Sequence, residues 1–211
     1  LMSVVPESRP AEAPDWDALY RMGTPPWETN DPADELVQIV GKERLIQPCT
    51  TLELGCGSGA DAVYLAQRRF EITAVDCAPL ALERAHLRAE QAGAPVRFVL
   101  DDVFEFAREE GPFELIYDAG FYHSVRQYDL DRHLDMLWRV TQPGSMYLAL
   151  VGAAGERAKG GPPQVAKDDI RDELGRLFDF IHIRECRFQS PCRSEGYRGW
   201  SCLMRRPDFG V

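Results

Sequence analysis

Residues 51–61 read Thr-Leu-Glu-Leu-Gly-Cys-Gly-Ser-Gly-Ala-Asp and join an apolar run to an amphipathic one. The alternating glycines Gly55, Gly57 and Gly59 constrain the chain more than any other stretch, because a backbone without Cβ atoms can turn sharply and let a ligand approach its main chain. A strand is expected to end there. The helical spacing of apolar residues in Asp61-Ala-Val-Tyr-Leu-Ala-Gln predicts a helix from near Gly59, with unpaired N–H groups facing the loop. Strand, glycine turn and helix together make a cradle for a nucleotide-like cofactor. Glu53 precedes the first glycine by two residues, and Asp76 ends the second predicted strand, 72–75, where an acid can accept from a ribose diol.

The same alternation continues along the chain. Pro79 opens a helix with Ala81, Leu82, Ala85 and Ala89 at helical spacing, and Gly93 ends it. A third strand over 96–100 meets Asp101-Asp102-Val103, with a brief helix over 104–108. A fourth, 113–118, carries Asp118 at its carboxyl end and continues into a rim loop containing Tyr122 and His123. Leu130, Leu134, Leu137 and Trp138 mark another helix, and a fifth strand spans 145–151. The polar, glycine-rich 152–161 is a candidate mobile loop before a helix over 168–177. Two extended runs, 178–188 and 197–206, read as a hairpin, with His182 expected on its solvent face. The fold class expected is α/β, a Rossmann-like three-layer sandwich whose seven-stranded, mostly parallel sheet ends in a C-terminal antiparallel hairpin. Ligands would bind beyond the carboxyl ends of the strands. Residues 14–211 should form one domain after a flexible lead-in over 1–13.

Composition narrows the partners. Against 24 Lys plus Arg stand 34 Asp plus Glu, and the net charge of -10 repels polyanions, so a small-molecule substrate is expected and nucleic acid is not. The chain has no apolar run long enough to span a bilayer, and its first residues lack the basic and apolar regions of a signal peptide. A cytoplasmic protein without membrane contact is expected, with a monomer as the default. The six cysteines show no C-x-x-C pair or zinc spacing, so reduced thiols and no metal are expected. A metalloid-binding trio of Cys186, Cys192 and Cys202 is the alternative.

With Glu53, the three glycines and Asp76 in place, the chain resembles the class I S-adenosylmethionine (SAM) dependent methyltransferases, most strongly over 51–151. Gly55, Gly57 and Ala60 also satisfy the looser G-x-G-x-x-G/A fingerprint. An NAD-type oxidoreductase is therefore an alternative, as is a non-catalytic SAM-binding regulator. Trp16, an aromatic four residues on at Tyr20, Gly23, and Trp27 followed by polar residues look like the N-terminal lid of the thiopurine, thiol and halide methyltransferase branch. Gly161-Pro162-Pro163 resembles the Gly-Pro-Pro segment near the substrate pocket in the same branch, although its prolines equally suit a rigid turn before the helix at 168–177. On spacing alone those aromatics serve equally well as a staple holding the arm to the core. The resemblance implies that Trp16, Tyr20 and Trp27 belong to a lid over 14–45 that covers SAM, later released as S-adenosylhomocysteine. It further implies that Gly55, Gly57 and Gly59 pass the methionine end, Glu53 receives the ammonium and Asp76 the ribose hydroxyls. Asp102 and Val103 would hold the adenine, although Asp102 also suits a helix cap. Cys77 lies just after a cofactor loop, where a small side chain fits. Asp118 would mark where donor and acceptor meet; the residue after it is Ala119, where the thiopurine enzymes often carry Arg. His123, titratable near neutral pH, is a candidate general base beside Asp118, or else a structural histidine.

Overall fold

The structure is a computed structural model that describes residues 14–155 and 161–208; the expected lead-in over 1–13 lies outside the described residues. Seven strands form one sheet: β1 (Thr50–Leu54), β2 (Glu71–Asp76), β3 (Arg97–Leu100), β4 (Leu115–Ala119), β5 (Met146–Gly152), β6 (Asp179–Phe188) and β7 (Tyr197–Arg205), in the order β3-β2-β1-β4-β5-β7-β6. The first five strands pair in parallel, and β7 lies antiparallel between β5 and β6. The seven-stranded α/β sandwich read from the sequence is the fold observed.

Alternation along the central strands explains the three layers, since successive side chains of a strand point to opposite faces. Ile116, Tyr147 and Ala149 face one core with helices α5 (Val103–Phe106), α6 (Phe121–Val140) and α7 (Lys167–Leu174). Leu115, Tyr117, Leu148 and Leu150 face the other, with α3 (Ala60–Ala66) and α4 (Pro79–Ala92). Covering both faces requires nearly continuous apolar strands, and β4 and β5 are buried along almost their whole length.

The arm before β1 holds α1 (Trp16–Arg21) and α2 (Asp34–Leu36), which runs on into a π-helical segment, Val37–Lys42. The arm is tied down from several sides. Arg88 donates to Asn30 O (2.7 Å) and Ser58 O (3.0 Å), Arg84 to Gly23 O (3.3 Å), and Ser190 Oγ of the β6–β7 connection to Pro26 O (3.3 Å).

Two local expectations are corrected. The stretch expected as a rim loop at Tyr122 and His123 is the first turn of α6, because Asp118 Oδ1 accepts from the Gly120, Phe121 and Tyr122 N–H groups (3.1, 2.9 and 3.3 Å) and caps the helix from the strand end. That long helix breaks at Asp129 (φ −156°, ψ 67°), which hid its first half from a search for one continuous period. On β6, a register shift between Phe180 and His182 leaves Ile181 54% exposed and turns His182 Nε2 to within 3.1 Å of Ser201 Oγ. His182 is therefore not on the open face.

Candidate functional site

A cavity of about 1050 Å³ opens beyond the carboxyl ends of β1, β2 and β4, walled by the N-terminal arm, the start of α6 and the β6–β7 hairpin. A cavity of this size suits a small molecule together with a cofactor.

At its glycine-loop end, Gly55, Gly57 and Gly59 all have positive φ (64°, 52° and 76°). At Gly57 a Cβ would lie 2.7 Å from Glu28 Oε1 and 2.9 Å from the Tyr20 hydroxyl, so both side-chain tips would have to move aside. Every N–H from residue 55 to 59 is spent within the protein. Gly55 and Cys56 donate to Val75 O (2.9 and 3.1 Å), Gly57 to Asp76 Oδ2 (2.8 Å), Ser58 to Glu28 Oε1 (3.2 Å) and Gly59 to Cys56 O (3.0 Å). Asp76 binds the turn after β2 as well, its Oδ1 accepting from Ala78 N–H (2.8 Å).

Four carboxylic acids line this end, Glu28, Glu53, Asp61 and Asp76. Asp61 is engaged on both oxygens, by Ala33 N–H (2.7 Å) and the Tyr117 hydroxyl (2.6 Å). Glu53 is not: its Oε2 is buried with no hydrogen-bond partner among the described residues. Burial, then the charges of Asp61, Asp76 and Asp118, holds the Glu53 carboxyl well above the usual carboxylate range. An orphaned, buried acid oxygen in acidic company suits a cation.

The arm covers this end. Trp16 and Trp27 meet edge to face with centroids 5.8 Å apart, and Tyr20 is buried with its hydroxyl donating to Glu28 Oε1. All three line the cavity, as do Cys77, Asp102 and Val103. Asp102 also caps α5, accepting from Phe104 N–H (2.8 Å), so the cap and a place on the wall are held by one residue. Burial pushes the Cys77 thiol up to about 11, which keeps it protonated near neutral pH.

Phe188 and Tyr197 of the hairpin, together with Pro162 and Pro163, share the opposite end with His123, whereas Phe121 packs against Gly55 and Tyr128 stands near Cys77 and Asp102. Two candidate catalytic residues look different here than their positions suggested. Asp118 does not line the cavity: it is fully buried, Oδ1 capping α6 and Oδ2 accepting from the Tyr147 hydroxyl, and burial raises it to about 6. Its work is architectural. His123 does line the cavity, but Gly152 N–H donates to its Nδ1 (3.0 Å), so the ring hydrogen sits on Nε2. Burial lowers its pKa to about 3. As arranged, His123 is a neutral hydrogen-bond donor and does not fit the expected general base.

The late cysteines do not gather. Cys186 and Cys192 line the cavity, whereas Cys202 is fully buried in the apolar core, and among the described residues no three His, Cys, Asp or Glu side chains form a metal-holding group. Glu28 is the site residue that sequence reasoning passed over. Its one signal is an acid directly after the arm aromatic Trp27.

Comparison with known proteins places this site in context. A family model described as a methyltransferase domain matches residues 51–144, from β1 through α6. A 2-heptyl-1-hydroxyquinolin-4(1H)-one methyltransferase of Mycobacteroides abscessus is 28% identical over 166 residues, covering 77% of this chain and 72% of the relative. A probable thiol methyltransferase of Arabidopsis thaliana is 25% identical over 171 residues, 80% and 75% of the two chains. Among solved structures, one from work on the conversion of a disulfide bond into a thioacetal group during echinomycin biosynthesis superposes with a TM-score of 0.79 at 25% identity, covering 92% of this chain and 93% of the other.

Proposed function

Because the chain belongs to the class I SAM-dependent methyltransferases, we propose that it methylates a flat aromatic small molecule through an ionisable heteroatom, under the cover of its N-terminal arm. The observation that carries the choice of cofactor is the glycine loop. All five of its N–H groups are taken up by the protein, two of them by carboxylates, and the cavity there is lined with acids. A diphosphate needs free amides and positive surroundings, so NAD does not suit this end. A cationic cofactor does, and the orphaned Glu53 Oε2 gives its ammonium a partner.

When bound, SAM supplies an electrophilic methyl group on a sulfonium. The chain's own residues supply alignment and exclusion of water, and held proximity contributes on the order of 7 to 11 kcal/mol to such reactions. In this reading Glu53 and Glu28 attract the cation, and Asp76 holds the glycine loop in shape while its remaining lone pairs face the ribose hydroxyls. Asp102 and Val103 border the adenine, and Trp16, Tyr20 and Trp27 close the site as a lid.

The acceptor class is supported by the rings of Phe188 and Tyr197 on the hairpin wall beside His123, which favour a planar ring. It agrees with the hydroxyquinolinone in the name of the mycobacterial relative. We place the reaction in the cytoplasm, in keeping with six free cysteines; no helix among the described residues is long and apolar enough to cross a membrane. Methyl-labelled SAM incubated with 2-heptyl-1-hydroxyquinolin-4(1H)-one, simple phenols, alkyl thiols and iodide tests the proposal. Label should enter the hydroxyquinolinone or the phenols. Transfer to thiols or iodide alone would overturn the acceptor class while leaving the methyltransferase standing.

A further inference from the structure

His123 is held more rigidly than a wall residue needs to be. Gly152, whose N–H donates to Nδ1, ends β5 and has no space for a Cβ, which would fall 2.3 Å from Pro163 O. Pro162 and Pro163 pack closely on Gly152, whose carbonyl accepts from Val165 N–H (2.8 Å) and which pairs with Gly199 of β7, and these contacts fix the direction of its N–H. Phe188 meets the imidazole edge to face at 5.9 Å between centroids. Nδ1 is thereby occupied, and Nε2 has no acceptor among the described residues although His123 lines the cavity.

No charged neighbour moves the ring toward the imidazolium. From β4, Asp118 is spent on the α6 amides and the Tyr147 hydroxyl; from the hairpin and its connection, Cys186, Arg187, Cys192 and Tyr197 are the titratable groups on the same wall; burial alone shifts His123. A buried, neutral imidazole whose basic nitrogen faces the backbone cannot collect a proton from the cavity.

We propose that His123 donates a hydrogen bond from Nε2 to the reacting heteroatom, so that the site takes acceptors already ionised: acidic N-hydroxy groups, acidic phenols or thiols, but not alcohols. The assignment rests on the methyl-transfer reading of the cavity. The acceptor gives its proton to solvent before transfer. Its lone pair then forms the bond to the methyl carbon, the carbon–sulfur bond breaks, and that bonding pair stays on sulfur, which passes from sulfonium to neutral thioether. The acidic glycine-loop end and the donor at the opposite end thus match a cation and an anion brought together.

Nitrogen-15 NMR of histidine-labelled protein saturated with S-adenosylhomocysteine tests the tautomer without any acceptor. Between about pH 5 and pH 8, where an ordinary imidazole titrates, His123 should stay neutral with its proton on Nε2; a proton on Nδ1 overturns the proposal. With 2-heptyl-1-hydroxyquinolin-4(1H)-one and ring-substituted analogues, the break in log kcat/KM against pH should move with each acceptor's own pKa. His123→Ala should lower kcat/KM on the order of 10- to 100-fold, the worth of a hydrogen bond to a charged group, without moving that break, and His123→Gln should recover part of the loss. A break fixed across acceptors and abolished in His123→Ala would make the residue a base and refute the assignment. Calorimetry with SAM on each variant separates the failures: intact SAM binding with a fixed break sinks only the role of His123, whereas no SAM binding by the parent sinks the methyl-transfer reading itself.

Discussion

At the glycine-loop end the cavity is shaped by the loops after β1 and β2, covered by the N-terminal arm and lined by acids, with every loop amide from 55 to 59 spent inside the protein. At the opposite end it is walled by the start of α6, the residues after β5 and the β6–β7 hairpin, carries Phe188 and Tyr197, and presents the fixed imidazole of His123. The difference teaches where each property comes from. A cofactor shared by a whole family is met by local strand–loop–helix geometry, while an acceptor peculiar to one member is met by surfaces that only the tertiary fold assembles.

If the ends are as independent as this, variants should split cleanly. The largest effect belongs to Asp76→Ala, which removes an acceptor from two backbone amides as well as the proposed ribose partner. SAM affinity measured by calorimetry should fall about 100-fold or more; a change within a few-fold would break the account of that end. Glu28→Gln should weaken SAM about 10-fold, the scale of one charge-assisted interaction, with the KM of the acceptor unchanged. A rise confined to acceptor KM would move Glu28 to the other end. Phe188→Ala should raise acceptor KM roughly 5- to 10-fold through lost aromatic contact and leave SAM affinity within about 2-fold. Loss of SAM binding there would show the two ends to be coupled.

How much of this was legible in the sequence follows the same division. Glu53, the three glycines and Asp76 could be located because a strand end, a tight turn and a helix start are written in neighbouring residues. The sheet could be counted because apolar runs alternate with helical spacing. Asp118 and His123 were found as positions, but their roles depend on partners far along the chain, Tyr147 and Gly152, that no local pattern reveals. Glu28 was passed over for the same reason: it matters through Ser58, 30 residues away. The register shift in β6 lies beyond a pattern of alternation, which assumes that no residue is inserted.

The smallest effect concerns stability rather than the cavity. His133 is fully buried against the Phe121 and Tyr122 rings with neither nitrogen hydrogen-bonded, and burial lowers its pKa to about 3. The unfolded chain binds a proton there below about pH 6.5 and the folded chain does not, so this residue's share of stability falls as pH drops from about 6.5 toward 3. His133→Leu should stabilise the fold by about 1 to 2 kcal/mol at neutral pH. Its advantage over the parent should grow on acidification, as followed by urea unfolding at several pH values. An advantage that shrinks in acid would mean that His133 is charged in the folded protein.

Titration of the ligand-free protein with SAM and, separately, with NAD in a calorimeter tests the central claim most directly. An acidic cradle whose loop amides from 55 to 59 are all taken up within the protein predicts saturable binding of SAM at one site per chain and no heat from NAD. Saturable binding of NAD, with none of SAM, would contradict it.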